Sequence, residues 1–238
     1  MDKPKIFITG AAGFIGRELI KKLVATGYFV SCFDIGEQFF IHRELFKKLG
    51  QNGQIRVVYG TLLDRISLQR HILGHDVVIH LAAMLGIRRT EEDRLGCINV
   101  NITGTDNVLN ACIFNRVKHF IFASSSEVYG EPNHNPIKEE DETKGKTVYA
   151  VTKLAGEELA KGYHQSYPEL NYTVVRLFNT YGEGQVSQFV LSRFVHAVMK
   201  GEEPRIYGDG EQLRGYCHVQ DTTDAFCKMV SEPKSFNK

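Results

Sequence analysis

Residues 5–16 read Lys-Ile-Phe-Ile-Thr-Gly-Ala-Ala-Gly-Phe-Ile-Gly, an apolar run that leads into three regularly spaced glycines. The apolar run predicts a buried strand, and the residues that follow predict a helix. In a turn between them, Gly10 permits a tight bend, Gly13 lets the backbone approach a diphosphate, and Gly16 lets the helix pack closely on the sheet. Free N–H groups at the helix start favour phosphate there. A glycine-rich turn without a ligand is the alternative, but this position between first strand and first helix favours a dinucleotide site.

A second expected strand ends at Asp34. A carboxylate at that place can accept hydrogen bonds from both ribose hydroxyls of a dinucleotide, and it would repel a 2′-phosphate. Residues 35–38, Ile-Gly-Glu-Gln, contain no Lys or Arg that could bind such a phosphate. The sequence therefore predicts NAD rather than NADP as cofactor, with a solvated loop carboxylate as the alternative for Asp34.

Short apolar, β-branched or aromatic runs alternate with helix-length segments along the chain. Runs such as 77–79 and 120–122 are apolar without a break, which is typical of strands buried on both faces of a parallel sheet. This alternation predicts an α/β fold with a doubly wound parallel sheet of the Rossmann type. Strands are expected at 5–9, 29–33, 55–58, 77–81, 119–123 and 172–178, and helices at 13–26, 43–49, 66–73, 102–115 and 149–167.

The later part of the chain has a different texture. Residues 131–146 combine two prolines with many charges and predict a surface loop. After Phe178, frequent glycines separate short elements, among them a helix expected near 188–200. We therefore expect residues 1–178 to form a dinucleotide-binding domain and residues 179–238 to form a smaller substrate-binding lobe.

Composition excludes several classes of function. The 238 residues carry 29 Lys and Arg against 28 Asp and Glu, so a formal charge of +1 provides no general attraction to nucleic acid or to acidic membranes. No apolar run approaches the ~18 residues that a membrane span needs. The five cysteines are scattered without the spacing of a metal site, which predicts reduced thiols, no metal and a cytoplasmic protein.

Tyr149 and Lys153 lie four residues apart, on one face of an expected helix. A free phenol has a pKa near ~10, and we expect the ammonium and a positive nicotinamide to lower the pKa of Tyr149 enough for it to act as a base. The fifth expected strand ends just before this helix in Ser124, Ser125 and Ser126. Their hydroxyls could cap the turn, or one could bond a substrate hydroxyl as it becomes a carbonyl.

An ordered series of motifs runs from Lys5 to about Asp224. It comprises Gly10-x-x-Gly13-x-x-Gly16, His80-Leu81-Ala82-Ala83, Asn101-x-x-Gly104-Thr105, Ser124-Ser125-x-x-Val128-Tyr129-Gly130, Tyr149-x-x-x-Lys153, Arg176-x-Phe178-Asn179-x-Tyr181-Gly182, Tyr207-Gly208-Asp209-Gly210 and Arg214. In this order the motifs resemble the extended short-chain dehydrogenase/reductases, in their NAD-dependent nucleotide-sugar epimerase/dehydratase branch.

By position, the resemblance implies that Ser125 and Tyr149 are catalytic, with Lys153 as the partner of the tyrosine. It implies contacts to NAD from Gly10, Gly13, Phe14, Ile15, Gly16, Asp34, Leu81, Ala82, Ala83, Asn101, Tyr149, Lys153 and Phe178. It implies contacts to the sugar nucleotide from Ser125, Asn179 and Arg214. Similar proteins usually carry Gly-Asp after the third strand, where this chain has Gly60-Thr61-Leu62. Thr61 and Leu62 are expected near the adenine, with a different contact.

The implied chemistry begins when Tyr149 takes a proton from a sugar hydroxyl and a hydride passes to NAD. Ser125 stabilises the carbonyl of the resulting keto-sugar. Return of the hydride to the opposite face makes an epimerase, which is the expected activity. Glu127 leaves alternatives open. Ser125-Ser126-Glu127 is similar to the Thr-Ser-Glu of UDP-glucuronate decarboxylases and, less closely, to the corresponding motif of 4,6-dehydratases. Glu127 could also be a structural carboxylate. A non-enzymatic NAD-binding regulator is disfavoured because Tyr149 and Lys153 are both intact.

The resemblance also bears on assembly and length. Similar proteins commonly form homodimers through the helices expected at 102–115 and 149–167, although the apolar positions there could equally pack on the chain's own sheet. Similar proteins also continue for several tens of residues past the region of Asp221. We therefore expect the substrate lobe to be partly truncated at Lys238.

Overall fold

A computed structural model describes residues 3–238 of the chain. In chain order the elements are β1 (Ile6–Thr9), α1 (Phe14–Ala25), β2 (Val30–Asp34), α2 (Gly36–Ile41), α3 (Arg43–Gly50), β3 (Ile55–Tyr59), α4 (Arg65–Ile72), β4 (Val77–His80), α5 (Ile87–Glu92), α6 (Arg94–Ile98), α7 (Gly104–Phe114), β5 (His119–Ser125), α8 (Val148–Ser166), β6 (Asn171–Leu177), β7 (Asn179–Tyr181), α9 (Val190–Met199), β8 (Tyr216–His218) and α10 (Val219–Ser231). A π-helical turn, Asn99–Thr103, precedes α7, and a 3-10 turn, Ser126–Tyr129, follows β5.

Six parallel strands form the main sheet in the order β3-β2-β1-β4-β5-β6, so the predicted doubly wound fold is confirmed. The strand order reverses between β1 and β4, where the chain crosses from one half of the sheet to the other. In such sheets, ligands bind in the crevice outside the carboxyl ends of the strands at this reversal. Thr9 pairs with Phe33 on one side and with His80 on the other, so these three strand ends lie level at the crevice.

The sheet separates two apolar cores, which explains the unbroken apolar runs in the sequence. Ile8 enters a core with Leu19 of α1 and Phe226 of α10. The preceding residue, Phe7, enters the opposite core, together with Phe122 of β5. Because successive side chains of a strand point to opposite faces, a strand covered on both sides needs apolar residues at every position.

The six strands and five helices expected for the main body all overlap with observed elements, and α9 overlaps with the helix expected near 188–200. Residues 131–146 contain no helix or strand, as predicted. The short helices α2, α5 and α6, the π-helical turn and α10 were not anticipated. The first three are too short to show a helical repeat of apolar residues.

The last part of the chain divides between two locations. β7 pairs with β8 in a separate parallel pair. In contrast, α10 packs on α1, and the chain after it runs along the outer edge of β6, where the Val174 amide donates to the Lys238 carbonyl at 2.8 Å. The boundary at residue 178 stays a prediction. Within residues 3–238, no helix combines the length and the apolar character that crossing a membrane demands.

Candidate active site

The glycine turn lies at the crevice, between β1 and α1. Gly10 has φ +71°, a left-handed conformation, and a Cβ there would lie 2.6 Å from the Ala82 amide nitrogen. A Cβ at Gly16 would clash with the Gly10 carbonyl oxygen. The cap of α1 at Gly13 offers no side chain to its amides, and the first turn of α1 contains no acidic residue. These uncapped amides fit the diphosphate of a dinucleotide.

Asp34 lies at the end of β2 beside this turn. Its Oδ2 accepts from the Ala12 amide at 2.9 Å, and its Oδ1 accepts from the Ile35 amide at 2.8 Å. Burial raises the pKa of Asp34, while these two N–H groups act in the opposite direction. The carboxylate is thereby fixed at the strand end with acceptor capacity left over, which fits the two hydroxyls of an adenosine ribose.

Phe14 and Ile15 form the first turn of α1, directly after the glycines, and both are half-buried. Thr61 is exposed in the loop after β3. Leu62 differs, because its side chain is buried in the core and its carbonyl accepts from Asn107 Nδ2 at 3.0 Å. A contact between Leu62 and a dinucleotide would therefore have to come from its backbone.

The structure brings Ser125, Tyr149 and Lys153 together at the carboxyl end of β5. Ser125 is the last residue of β5, and the other two lie in the first two turns of α8. Lys153 Nζ lies 5.7 Å from the centre of the Tyr149 ring and donates to the Ala123 carbonyl at 2.7 Å. Ser125 is near enough to the Tyr149 phenol to lower its pKa.

The protein's own groups raise the pKa of the Tyr149 phenol, and the lowering expected from Lys153 together with a nicotinamide stays a prediction. Burial raises the pKa of Tyr149, the Glu127 charge raises it further, and Ser125 opposes the rise. Lys153 itself is buried, and this lowers its pKa to about 8. Loss of water around the phenol is the largest cause of the rise, and the Lys153 Nζ is directed to the Ala123 carbonyl. The phenol is therefore protonated unless further positive charge comes close to it.

Glu127 is held near this group by Thr147. The Thr147 hydroxyl donates to Glu127 Oε2 at 3.2 Å and accepts from the Ala150 amide at 3.1 Å as the cap of α8. Burial raises the pKa of Glu127, and the hydrogen bond from Thr147 acts in the opposite direction. Thr147 was not identified from the sequence, although a Thr directly before an expected helix is a capping signal.

Asn101 supports the site from the π-helical turn, where it is buried. Its Oδ1 accepts from the Met84 amide at 2.7 Å, and its Nδ2 donates to the Met84 carbonyl and to Thr152 Oγ1, both at 3.0 Å. It thus ties the loop after β4, in which Leu81 and Ala83 are half-buried, to α8.

A buried chain of hydrogen bonds through His80 also reaches Asn101. The sequence motifs include His80 but do not indicate what its side chain does. The Ala82 amide donates to Thr9 Oγ1 at 3.3 Å, and that hydroxyl lies 2.6 Å from His80 Nδ1. His80 Nε2 lies 3.0 Å from Thr105 Oγ1, which donates to the Asn101 carbonyl at 2.6 Å. Burial lowers the pKa of His80 to about 3, so the imidazole is neutral and donates from Nε2.

Arg17 is another residue that the sequence did not single out. Its Nη1 contacts the Ala12 carbonyl and His42 Nε2, both at 2.8 Å, and its Nη2 donates to the Gly184 carbonyl at 3.0 Å. It therefore connects the glycine turn with α2–α3 and with the loop after β7.

Two of the three residues expected to contact the sugar nucleotide, Asn179 and Arg214, lie beyond β6, and so does Phe178, which was expected to contact NAD. Phe178 is half-buried, with its ring centre 6.5 Å from that of Tyr129. Asn179 Nδ2 donates to the Gly215 carbonyl at 3.0 Å, which places it beside Arg214, an exposed residue. Within residues 3–238, no group of three or more His, Cys, Asp or Glu side chains could hold a metal ion.

Comparison with known proteins adds to this geometry. The family model for the NAD dependent epimerase/dehydratase family matches residues 6–238. The chain belongs to this family. As a member of it, the protein is an NAD-dependent enzyme, and its residues fit the dinucleotide at the glycine turn and at Asp34.

Several relatives of the NAD dependent epimerase/dehydratase family are similar over nearly the whole chain. The UDP-N-acetyl-alpha-D-glucosaminuronate decarboxylase of Bacillus cytotoxicus is 36% identical, covering 97% of this chain and 72% of the relative. The structure of a UDP-N-acetylglucosamine 4-epimerase from Methanobrevibacter ruminantium M1, in complex with UDP-N-acetylmuramic acid, has a TM-score of 0.89 at 29% identity, covering 98% of this chain and 74% of that one. The UDP-glucuronic acid 4-epimerase of Bacillus cereus, in complex with UDP-glucuronic acid and NAD, has a TM-score of 0.88 at 30% identity, covering 97% and 74%.

Proposed function

We propose that this protein is a nucleotide-sugar epimerase that works through a transient keto-sugar. The observation that carries the proposal is the convergence of Ser125, Tyr149 and Lys153 at the carboxyl end of β5, beside the glycine turn. Two of the similar solved structures are named as 4-epimerases of UDP-sugars.

In this proposal the Tyr149 phenol takes the proton of a sugar hydroxyl. NAD held at the glycine turn would supply a hydride acceptor for the same carbon, a hydride donor for the return step, and a positively charged ring. Tyr149 needs such a charge, because burial and Glu127 raise the pKa of its phenol. Ser125 donates a hydrogen bond to the oxygen as it becomes a carbonyl. Lys153, anchored on the Ala123 carbonyl, provides an ammonium for the nicotinamide ribose.

Arg214 and Asn179 complete the proposed substrate site. Asn179 pairs with Tyr216 in the β7–β8 pair, and Arg214 lies two residues before Tyr216, so the two residues are close in the fold. A guanidinium matches the oxygens of a diphosphate, which supports a sugar nucleotide rather than a free sugar as substrate.

The test is incubation of the protein and NAD with a panel of UDP-, GDP-, dTDP- and CDP-sugars, followed by mass spectrometry and chromatography. A product of unchanged mass and altered retention supports the epimerase. Tyr149→Phe should lower kcat by about a hundred-fold or more, since the base is lost. Tyr167→Phe, which changes a tyrosine just beyond the end of α8, is the control and should retain activity. Full activity of the Tyr149 variant would contradict the assigned base.

Glu127 favours a second candidate, a decarboxylase acting on a sugar acid of the UDP-glucuronate type. Its carboxyl is held at the site by Thr147, and a carboxyl group there could pass a proton to a carbon that has lost carbon dioxide. A 36%-identical relative bears the name of such a decarboxylase. In the same assay, loss of carbon dioxide would identify this reaction, and loss of water would identify a dehydratase.

We propose in addition that the protein is a cytoplasmic homodimer. Five free cysteines support a reducing compartment. The helices α6, α7 and α8 expose Leu95, Phe114 and Val151, at 75%, 69% and 50%, which supports a partner surface there. Light scattering of the purified protein tests the dimer, and a monomeric mass at working concentration would contradict it.

A further inference from the structure

The carboxylate of Glu157 is an unusual feature next to the proposed site, because it is a charged group with only 2% of its side chain exposed. It lies on α8, one turn after Lys153. The Ser124 hydroxyl donates to its Oε1 at 2.5 Å. Arg176 of β6 donates from Nε to Oε1 at 3.0 Å and from Nη2 to Oε2 at 2.7 Å. A buried charge with this many partners is costly to remove and has a defined orientation.

Arg176 connects Glu157 to the end of the 3-10 turn that follows β5. Its Nη1 donates to the Tyr129 hydroxyl and to the Glu139 carbonyl, both at 2.9 Å. Its guanidinium also lies 4.9 Å from the centre of the Tyr129 ring. Ser124 precedes and Tyr129 ends the segment that carries Ser125 and Glu127. The ion pair therefore contacts both ends of that segment.

The same carboxylate acts on Lys153. Burial lowers the pKa of Lys153 to about 8, and Cys97 and Glu157 act in the opposite direction. The Cys97 thiol has its own pKa raised by burial, so it is neutral at pH 7. His80, which faces Lys153 from β4, is neutral as well because burial lowers its pKa to about 3. Among these groups, Glu157 is the anion that favours the ammonium form.

Three other groups in contact with Lys153 carry no full charge. Nζ lies 4.9 Å from the centre of the Phe122 ring, and the Ala123 carbonyl accepts from it. The Tyr149 phenol is protonated for the reasons given above. Of the side chains that act on Lys153 by their charge, the carboxylate of Glu157, which is paired with Arg176, favours the ammonium form.

We propose that Glu157, paired with Arg176, is a positioning residue that keeps Lys153 in its ammonium form and holds the Ser124–Tyr129 segment in its catalytic geometry. This inference rests on the proposed function for its effect on turnover, but its effect on Lys153 is independent of any sugar. A buried ion pair with a purely structural role would stabilise the fold and leave the titration of Lys153 unchanged.

The direct test follows the carbon-13 signals of labelled lysines in the full chain with NAD, as a function of pH. Lys153→Met assigns the signal. Glu157→Gln should move the titration of Lys153 to lower pH by about one unit, because the opposite charge is gone. Glu158→Gln is the control: this neighbour on α8 is exposed and pairs with Lys161. It should leave the titration where it is, and Glu157→Asp should largely restore it.

A Lys153 signal that titrates at the same pH in Glu157→Gln and in the wild type would overturn the proposal. If that variant does not fold, the wild type decides: a Lys153 signal of the free amine at pH 7 would contradict the proposed role. Once a reacting sugar nucleotide is found, Glu157→Gln should lower kcat at least ten-fold with little change in KM. Failure of every sugar to react would count against the proposed function alone, since the titration does not involve a sugar.

Discussion

Replacing Gly156 by alanine should destabilise this protein, although alanine favours a helix over glycine by about 1 kcal/mol. Gly156 lies on α8 where the helix crosses β5. A Cβ there would lie 2.8 Å from Cε1 and 3.0 Å from Cε2 of Phe122, and nearer still to Cζ. Carbon atoms in contact prefer about 3.5 to 4 Å. Phe122 is 1% exposed and stacks against His80 and Phe120, so its ring has no space to retreat.

Helix α8 must therefore move away from the sheet by about an ångström. Overpacking of this kind costs about 1 to 3 kcal/mol, which leaves a net loss of about 1 kcal/mol after the gain in helix propensity. Because α8 carries Tyr149 and Lys153, the same shift should lower kcat, by up to about a hundred-fold. Urea unfolding followed by circular dichroism measures the first effect, and turnover measures the second.

Gly162 offers a matched control on the same helix. A Cβ at Gly162 would meet no atom within 4 Å, so Gly162→Ala should stabilise the protein by up to about 1 kcal/mol. The two substitutions are chemically identical and should have opposite signs. If Gly156→Ala stabilised the protein as Gly162→Ala does, the close approach of α8 to Phe122 would be refuted.

Two further predictions concern charge. His119 is buried, which lowers its pKa to about 4 from the ordinary 6.5, so its contribution to stability is present above pH 6.5 and is lost as pH falls toward 4. From pH 7 to pH 5.5 the free energy of unfolding should fall by about 1 kcal/mol more in the wild type than in His119→Gln. Urea unfolding at both pH values measures this fall, and an equal fall in the two proteins would contradict the prediction. Asp34→Asn should weaken NAD binding about ten-fold or more and reduce the preference over NADP, because a charged acceptor is lost from the turn and the ribose. Titration calorimetry with both dinucleotides measures it, and unchanged NAD affinity would refute the assignment.

Much of the site could be located from the sequence, because its residues belong to short local patterns. Gly10, Gly13 and Gly16 were placed correctly, since the requirement for glycine arises from backbone geometry within one turn. Ser125 lies at the end of a strand and Tyr149 at the start of a helix, and both elements are indicated by residues close to them in the sequence. Their convergence then results from the parallel sheet, which brings strand ends to one edge.

Other features could not be predicted because their partners are distant in sequence. Glu157 meets Arg176 and Ser124 only because α8 packs across β5 and β6. The packing of α10 on α1 could not be predicted either, because the first residues of α10 are polar and resemble a loop.

The amino-acid sequence by itself determined the doubly wound sheet and the glycine turn after β1, and it supplied the proposed reactive groups, since apolar periodicity and glycine spacing are properties of neighbouring residues. Only the tertiary structure decided their protonation. Tyr149 has a raised pKa and Lys153 a lowered one because the side chains that pack around them exclude water. Desolvation depends on every element that covers a group, so no local pattern can specify it.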